Sequence, residues 1–258
     1  MSIEVHHQVE GPADAPVLVL SNSLGTSLEM WDGAVPALAE RYRVLRYDQR
    51  GHGRSPVPPG PYSMSDLGGD VVALLDRLEI ERASFCGLSI GGMIAIWLGA
   101  HAPERIERLA ICCTQAQLPP PEQWTERAAT VRAEGMAPVV DAALERWFTP
   151  ALHRNDEATV ARFRRMLLGC DPEGYAGGCE AIAGADLRSE ATEIAAPALV
   201  IGAREDPVAP PESIRELAEA IPGAGHAIIP DARHLVSVER PRAFTEALAE
   251  HLEAEVRT

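Results

Sequence analysis

The fold is decided by Phe85-Cys86-Gly87-Leu88-Ser89-Ile90-Gly91-Gly92, which joins an apolar, strand-like run to a nearly all-apolar helical run over residues 92–102. A serine on such a strand-to-helix turn must adopt a strained backbone conformation, and small residues two positions on either side relieve the crowding. The amides that begin the helix then lie beside the serine, where they stabilise negative charge. This context predicts that Ser89 is a nucleophile rather than part of an ordinary glycine-rich turn.

Short apolar runs alternate with helical patterns over most of the chain. The strand-like runs lie at residues 17–20, 43–48, 83–86, 109–113, 198–201 and 226–229. Between them, residues 65–78 carry apolar side chains at spacings of three and four, which makes one buried helix face. This alternation predicts a mostly parallel central sheet flanked by helices. Together with the serine turn, it predicts the α/β-hydrolase fold.

One long stretch interrupts the alternation. It begins with Pro119-Pro120-Pro121, has no convincing strand, and shows helical patterns over residues 137–148 and 156–168. We therefore expect a hydrolase core formed by residues 1–118 and 191–258, with a helical cap inserted at residues 119–190.

The base and acid that activate a serine follow it in this fold, the acid first, on loops beyond the strands. His234 fits the base because it follows the strand-like run 226–229 and a short turn. Asp206 fits the acid because it lies just past the run that ends at Gly202. Glu205 is its nearest rival, and Asp231, in the same loop as His234, is an outside candidate.

The second oxyanion donor in this fold is a backbone amide in the loop after the first core strand. That loop is Ser21-Asn22-Ser23-Leu24-Gly25-Thr26, so Leu24 and Ile90 are predicted to supply the two amides. Asn22 and Ser23 stand where many relatives carry His-Gly. Their side chains are expected either to brace the loop or to contact the substrate.

Composition excludes several classes of partner. The 258 residues carry a formal net charge of −15, which disfavours nucleic acid and anionic membranes. No apolar run reaches about 18 residues, and the first residues lack a signal-peptide pattern, so we expect a cytoplasmic protein. The 5 cysteines form no metal-ligand pattern and are expected to be reduced thiols. A small molecule is the expected partner, and a homo-oligomer is compatible with the sequence.

Several motifs together resemble 3-oxoadipate enol-lactonases. They are Ser-Asn-Ser-Leu-Gly-Thr at 21–26, Met-Trp-Asp at 30–32, Tyr-Asp-Gln-Arg-Gly-His-Gly-Arg-Ser at 47–55, and the serine turn at 86–92. Within the expected cap, Gln-Trp-Thr-Glu-Arg at 123–127 and Arg-Trp-Phe-Thr-Pro at 146–150 are similar to the insertion of that family.

The resemblance implies hydrolysis of 3-oxoadipate enol-lactone to 3-oxoadipate in protocatechuate and catechol catabolism, with no cofactor or metal. Because that lactone carries a free carboxylate, a local cation must bind it when it leaves water. Arg127 is the first choice, since Trp124 lies one helical turn before it, and Arg132 and Arg146 are further candidates. Trp124 and Trp147 are expected either to line an apolar pocket or to belong to the core.

Two other functions are compatible with the same motifs. The first is a general carboxylesterase or cofactor-free perhydrolase that acts on uncharged esters. The second is a non-catalytic receptor that keeps the fold and its triad.

Overall fold

A computed structural model describes residues 2–118 and 120–254. Pro119, at which the predicted cap begins, lies outside the described residues, as do residue 1 and residues 255–258 of the predicted core.

The core of the structure is a seven-stranded sheet with the order β1-β3-β2-β4-β5-β6-β7. All neighbouring strands are parallel except β1, which pairs antiparallel with β3 at one edge. The strands are β1 (His7–Glu10), β2 (Val17–Ser21), β3 (Arg43–Tyr47), β4 (Ala83–Leu88), β5 (Ile106–Cys112), β6 (Ala198–Ala203) and β7 (Gly225–Ile229). The mostly parallel sheet predicted from the alternating pattern is confirmed.

Helices pack around this sheet. Over residues 2–118 and 120–254 the α-helices are α1 (Val35–Leu38), α2 (Met64–Arg77), α3 (Ile90–His101), α4 (Pro121–Glu134), α5 (Ala137–Trp147), α6 (Pro150–Asn155), α7 (Glu157–Leu168), α8 (Pro172–Ala183), α9 (Arg188–Glu193), α10 (Pro211–Ala220), α11 (Val236–Glu239) and α12 (Pro241–Glu253). Short 3-10 helices span Leu28–Trp31 and Pro103–Arg105. None of these helices has both the length and the apolar character needed to cross a membrane.

The centre of the sheet and the helix beneath it explain the composition of the serine motif. Every residue of β4 is buried, and α3 is buried from Ile90 to Ile96 because it packs against β4 and β5 on one side and α2 and α9 on another. A helix enclosed in this way has no polar face, which is why its sequence is almost uniformly apolar.

Six helices, α4 to α9, lie in the chain between β5 and β6. The longest, α4, packs against α8, and Arg132 of α4 forms ion pairs with Glu173 and Glu180 of α8 at 2.7 and 2.5 Å. The loops that follow β2, β4, β6 and β7 all leave the carboxyl end of the sheet, because these strands are parallel. Loops from that end of the sheet and side chains from α4, α5 and α8 therefore face a common cavity.

Candidate active site

Ser89 lies between β4 and α3 with φ 60° and ψ −118°, in the strained region that a nucleophile turn requires. Its amide donates to the Cys112 carbonyl at 2.8 Å, which fixes the turn against β5. The glycines of the motif are required by close backbone contacts. A Cβ on Gly87 would lie 1.9 Å from the Gly91 carbonyl oxygen, and a Cβ on Gly91 would lie 2.4 Å from that of Ser21.

The structure pairs the predicted acid and base. Asp206 Oδ2 lies 2.9 Å from His234 Nδ1, and each residue is only 3% exposed. The second oxygen of Asp206 accepts the Val208 amide at 2.8 Å, which fixes the carboxylate plane. The rival acids Glu205 and Asp231 are exposed at the surface. Among the sequence candidates, it is Asp206 that reaches the imidazole.

Ser89 and His234 line the same small cavity. Because Nδ1 of His234 is bonded to Asp206, Nε2 is the nitrogen available to the serine. Within the described residues the Ser89 hydroxyl forms no hydrogen bond. Catalytic hydrogen bonds commonly shorten only when substrate is bound, so the missing bond does not exclude Ser89 and His234 as partners.

The loop after β2 leaves one amide available to an oxyanion. Three neighbouring amides are occupied, since Ser23 donates to the Met30 sulfur at 3.3 Å, Gly25 to His52 Nε2 at 2.9 Å and Thr26 to the Ser23 carbonyl at 3.2 Å. In the part of the chain that the structure describes, the Leu24 amide has no acceptor. Across the cavity, Ile90 begins α3, so its amide has no acceptor within the helix.

His52 has a structural role in this loop that the sequence did not predict. Its Nε2 accepts the Gly25 amide, and its Nδ1 lies 3.1 Å from the Arg50 carbonyl, to which a neutral ring donates. Burial lowers the pKa of His52, which favours the neutral form that can accept at Nε2. The Arg50-Gly51-His52-Gly53 segment therefore supports the loop that follows β2.

Asn22 and Ser23 occupy different environments. Asn22 is fully buried, its side-chain amide donating to the Tyr47 carbonyl at 2.8 Å and its oxygen accepting from Trp31 Nε1 at 2.9 Å. Of the two roles expected for Asn22, these bonds support the bracing of the loop, and Asn22 is not among the residues that line the cavity. Ser23 does line the cavity.

Two arginines of the cap reach the cavity, Arg127 on α4 and Arg146 on α5. Arg127 stacks over the Trp124 ring at 4.5 Å, and both indoles predicted for the pocket, Trp124 and Trp147, line it. Burial lowers the pKa of Arg146, and the neighbouring charge of Arg127 lowers it further. Among residues 2–118 and 120–254, no carboxylate forms an ion pair with either arginine.

The third arginine candidate lies elsewhere. Arg132 is held by Glu173 and Glu180 at the surface of the cap, so it is not available to the cavity. Tyr175, Ala143 and Val208 complete the lining and were not predicted, because nothing in their local sequence distinguishes them from ordinary helix or loop residues. Burial raises the pKa of Tyr175, so its hydroxyl is a neutral group in the cavity.

Comparison with known proteins agrees with the fold. The family model for the α/β-hydrolase fold matches residues 16–241. Two relatives from Acinetobacter baylyi are named 3-oxoadipate enol-lactonases. Enol-lactonase 2 is 39% identical, over 95% of this chain and 92% of its own length. Enol-lactonase 1 is 36% identical, over 93% of this chain and 89% of its own length. The crystal structure of the enol-lactonase from Burkholderia xenovorans has a TM-score of 0.95 and 47% identity, and covers 98% of this chain and 97% of its own.

Proposed function

Because the chain belongs to the α/β-hydrolase family and is a hydrolase of ester bonds related to enol-lactonases, we propose that it hydrolyses 3-oxoadipate enol-lactone to 3-oxoadipate. The reaction would serve the catabolism of protocatechuate and catechol. The observation that carries the choice of substrate is a pair of arginines beside Ser89 that form no ion pair with a carboxylate of residues 2–118 or 120–254.

Acylation follows from the arrangement of Ser89, His234 and Asp206. His234 Nε2 removes the hydroxyl proton as Ser89 Oγ attacks the lactone carbonyl carbon. Asp206, 2.9 Å from Nδ1, holds the ring in the tautomer that leaves Nε2 free and stabilises the imidazolium that forms.

The amides of Leu24 and Ile90 stabilise the tetrahedral intermediate. Among the residues that the structure describes, neither amide has a competing acceptor, so both can donate to the developing oxyanion without reorganisation of the loop. Collapse of the intermediate breaks the ring C–O bond, and His234 returns the proton to the enol oxygen. The enol stays attached to the acyl group because both belonged to one ring. Water, activated by His234, then releases 3-oxoadipate.

Arg127 and Arg146 bind the carboxylate that the lactone carries outside its ring. Burial lowers the pKa of Arg146, and repulsion by the neighbouring cation Arg127 lowers it further. An anion between them removes that repulsion and forms charge-assisted hydrogen bonds. The net charge of −15 does not oppose this binding, because salt screens distant charges over about 8–10 Å.

The direct test is an assay on 3-oxoadipate enol-lactone that follows the loss of its ultraviolet absorbance, beside p-nitrophenyl acetate as an uncharged ester. We expect the lactone to be the far better substrate by kcat/KM and Ser89→Ala to abolish both activities. Hydrolysis of the lactone no faster than that of the ester would favour the general carboxylesterase.

The alternative function, that of a non-catalytic receptor, is tested with a fluorophosphonate probe, which labels activated serines. We expect stoichiometric labelling of the wild-type protein and none of Ser89→Ala. Failure of the wild-type protein to react would contradict an enzymatic function altogether.

A further inference from the structure

A buried carboxylate outside the catalytic trio connects the two halves of the site. Glu239 ends α11 and is 5% exposed. Its Oε1 accepts from the amide of Thr149 at 3.0 Å and from the Thr149 hydroxyl, and its Oε2 accepts the amide of Arg233 at 2.9 Å. The three donors are all neutral, and they come from two segments far apart in the sequence.

One of these segments is the loop that carries the catalytic base. Arg233 immediately precedes His234, so the Glu239 bond fixes the backbone on one side of the imidazole. On the other side, the amide of Leu235 donates to the Trp147 carbonyl at 3.2 Å. The Arg233 guanidinium also donates to the Glu145 carbonyl. The residues on both sides of His234 are thus bonded, directly or through Glu239, to the segment 145–149.

The second segment is the end of α5, which carries residues of the substrate pocket. Arg146 and Trp147 both line the cavity, and Thr149 follows them as the N-cap of α6. Thr149 is 4% exposed, and its hydroxyl also accepts the Leu152 amide at 3.3 Å. The bond between Thr149 and Glu239 therefore fixes the junction of α5 and α6 to α11 of the core.

We propose that Glu239 is a positioning residue that fixes His234 and the pocket end of α5 relative to each other. The site needs the base and the anion-binding arginine at fixed distances from one carbonyl carbon, yet they lie on different parts of the fold. A carboxylate with two oxygens can accept from both segments at once. Asparagine or glutamine cannot replace it, since one of the two oxygens would become an amide NH2 group that faces an N–H donor.

The part of this inference that concerns Arg146 rests on the proposed function. The part that concerns His234 does not, because the position of the base matters for the hydrolysis of any ester. Glu239→Gln is therefore assayed on both the lactone and p-nitrophenyl acetate, with rates divided by the concentration of sites that react with a fluorophosphonate. A misplacement of about 1 Å can lower a rate about 100-fold. We expect kcat to fall about 10- to 100-fold on both substrates and KM to rise only for the lactone.

Two further variants separate positioning from a loss of folded protein. Thr149→Val removes the hydroxyl but keeps the amide, while Thr149→Ser keeps both donors. We expect Thr149→Val to show a smaller loss of the same kind and Thr149→Ser to restore much of it. Glu246→Gln, an exposed carboxylate on α12, is the matched control for the change of charge and is expected to behave as wild type.

The Thr149 pair also carries the test if Glu239→Gln does not fold. A loss of active sites with unchanged kcat and KM at each remaining site would mean that Glu239 only stabilises the fold, and would overturn the proposal. Equal kinetics for Thr149→Val and Thr149→Ser would overturn it as well. If the lactone is no substrate at all, a fall of kcat on the ester still supports the positioning of His234, so the two hypotheses can fail separately.

Discussion

Removing one arginine should weaken the enzyme only toward a substrate that carries the carboxylate. Arg127 and Arg146 line the cavity without an ion-pair partner in the described residues, so the substrate anion is the partner that each would lose. The perturbation is Arg127→Gln or Arg146→Gln, which removes the charge and keeps an amide donor. The substrates are the enol-lactone and the methyl ester of its side-chain carboxylate, which has the same ring without the charge.

The expected magnitude follows from the strength of a charge-assisted contact. A hydrogen bond to a charged group contributes about 1.5–3 kcal/mol, while the Coulomb energy of two charges 4 Å apart at an effective dielectric of 20 is about 4 kcal/mol. Because these arginines are partly exposed, we take the lower range, which corresponds to about a 10- to 150-fold fall in kcat/KM for the lactone. The methyl ester should change less than about threefold. The double variant should lose less than the product of the single losses, since both arginines share one anion.

The assay follows ring opening by ultraviolet absorbance over a range of salt concentrations. Added salt screens the arginines, so it should reduce the preference of the wild-type enzyme for the charged lactone over the methyl ester. Arg154 is an exposed arginine on α6, and Arg154→Gln makes the same change of net charge. This control variant should leave kcat/KM unchanged for both substrates. Equal losses on the lactone and its methyl ester would refute the reasoning, because the arginines would then support the cap rather than bind the anion.

The remaining predictions concern the acid, the nucleophile turn and the pH dependence of folding. Asp206→Asn should lower kcat about 10⁴-fold with little change in KM, because the imidazole loses the partner that sets its tautomer; the same variant with near-wild-type kcat would show that another carboxylate serves. Gly87→Ala should destabilise the fold by at least about 2 kcal/mol, since its Cβ would lie 1.9 Å from the Gly91 carbonyl oxygen, and lower the melting temperature by about 4–8 °C in thermal unfolding. Gly69→Ala, which has open space on α2, is the control and should be neutral or stabilising. Burial, aided by the charge of Arg108, lowers the pKa of His251 to about 4, so the folded state disfavours its protonation. The free energy of unfolding should therefore fall as the pH drops from the unfolded pKa of about 6.5 toward 4, by at most about 3 kcal/mol and less for a partly exposed ring. His251→Gln should flatten this dependence in denaturant titrations, and an unchanged slope would contradict the assignment.

The sheet could be read from the sequence wherever burial imposes a pattern. The run 17–20 became β2 and the run 198–201 became β6, because strands enclosed on both faces must be apolar along their whole length. The edge strand β1, His-Gln-Val-Glu, was not predicted. It pairs on one side only and is largely exposed, so nothing in its composition requires a strand.

In the candidate site, residues identified by their neighbouring sequence could be predicted, whereas residues that depend on distant partners could not. Ser89, Asp206 and His234 could be predicted because each lies in a turn or loop just after a strand, and that position can be recognised from the neighbouring sequence alone. The roles of Asn22 and Glu239 could not be predicted, because they depend on partners such as Tyr47 and Thr149 that are distant in the sequence. For the same reason, the sequence could not separate Arg146, which reaches the cavity, from Arg132, which pairs with two glutamates.

Rapid-quench mass spectrometry during turnover of the enol-lactone shows whether Ser89 opens the lactone ring through an acyl-enzyme. In a lactone the leaving group stays attached, so the peptide that contains Ser89 should gain the full mass of the substrate, and Ser89→Ala should show neither the adduct nor turnover. Turnover of the lactone by Ser89→Ala at the wild-type rate would contradict the account.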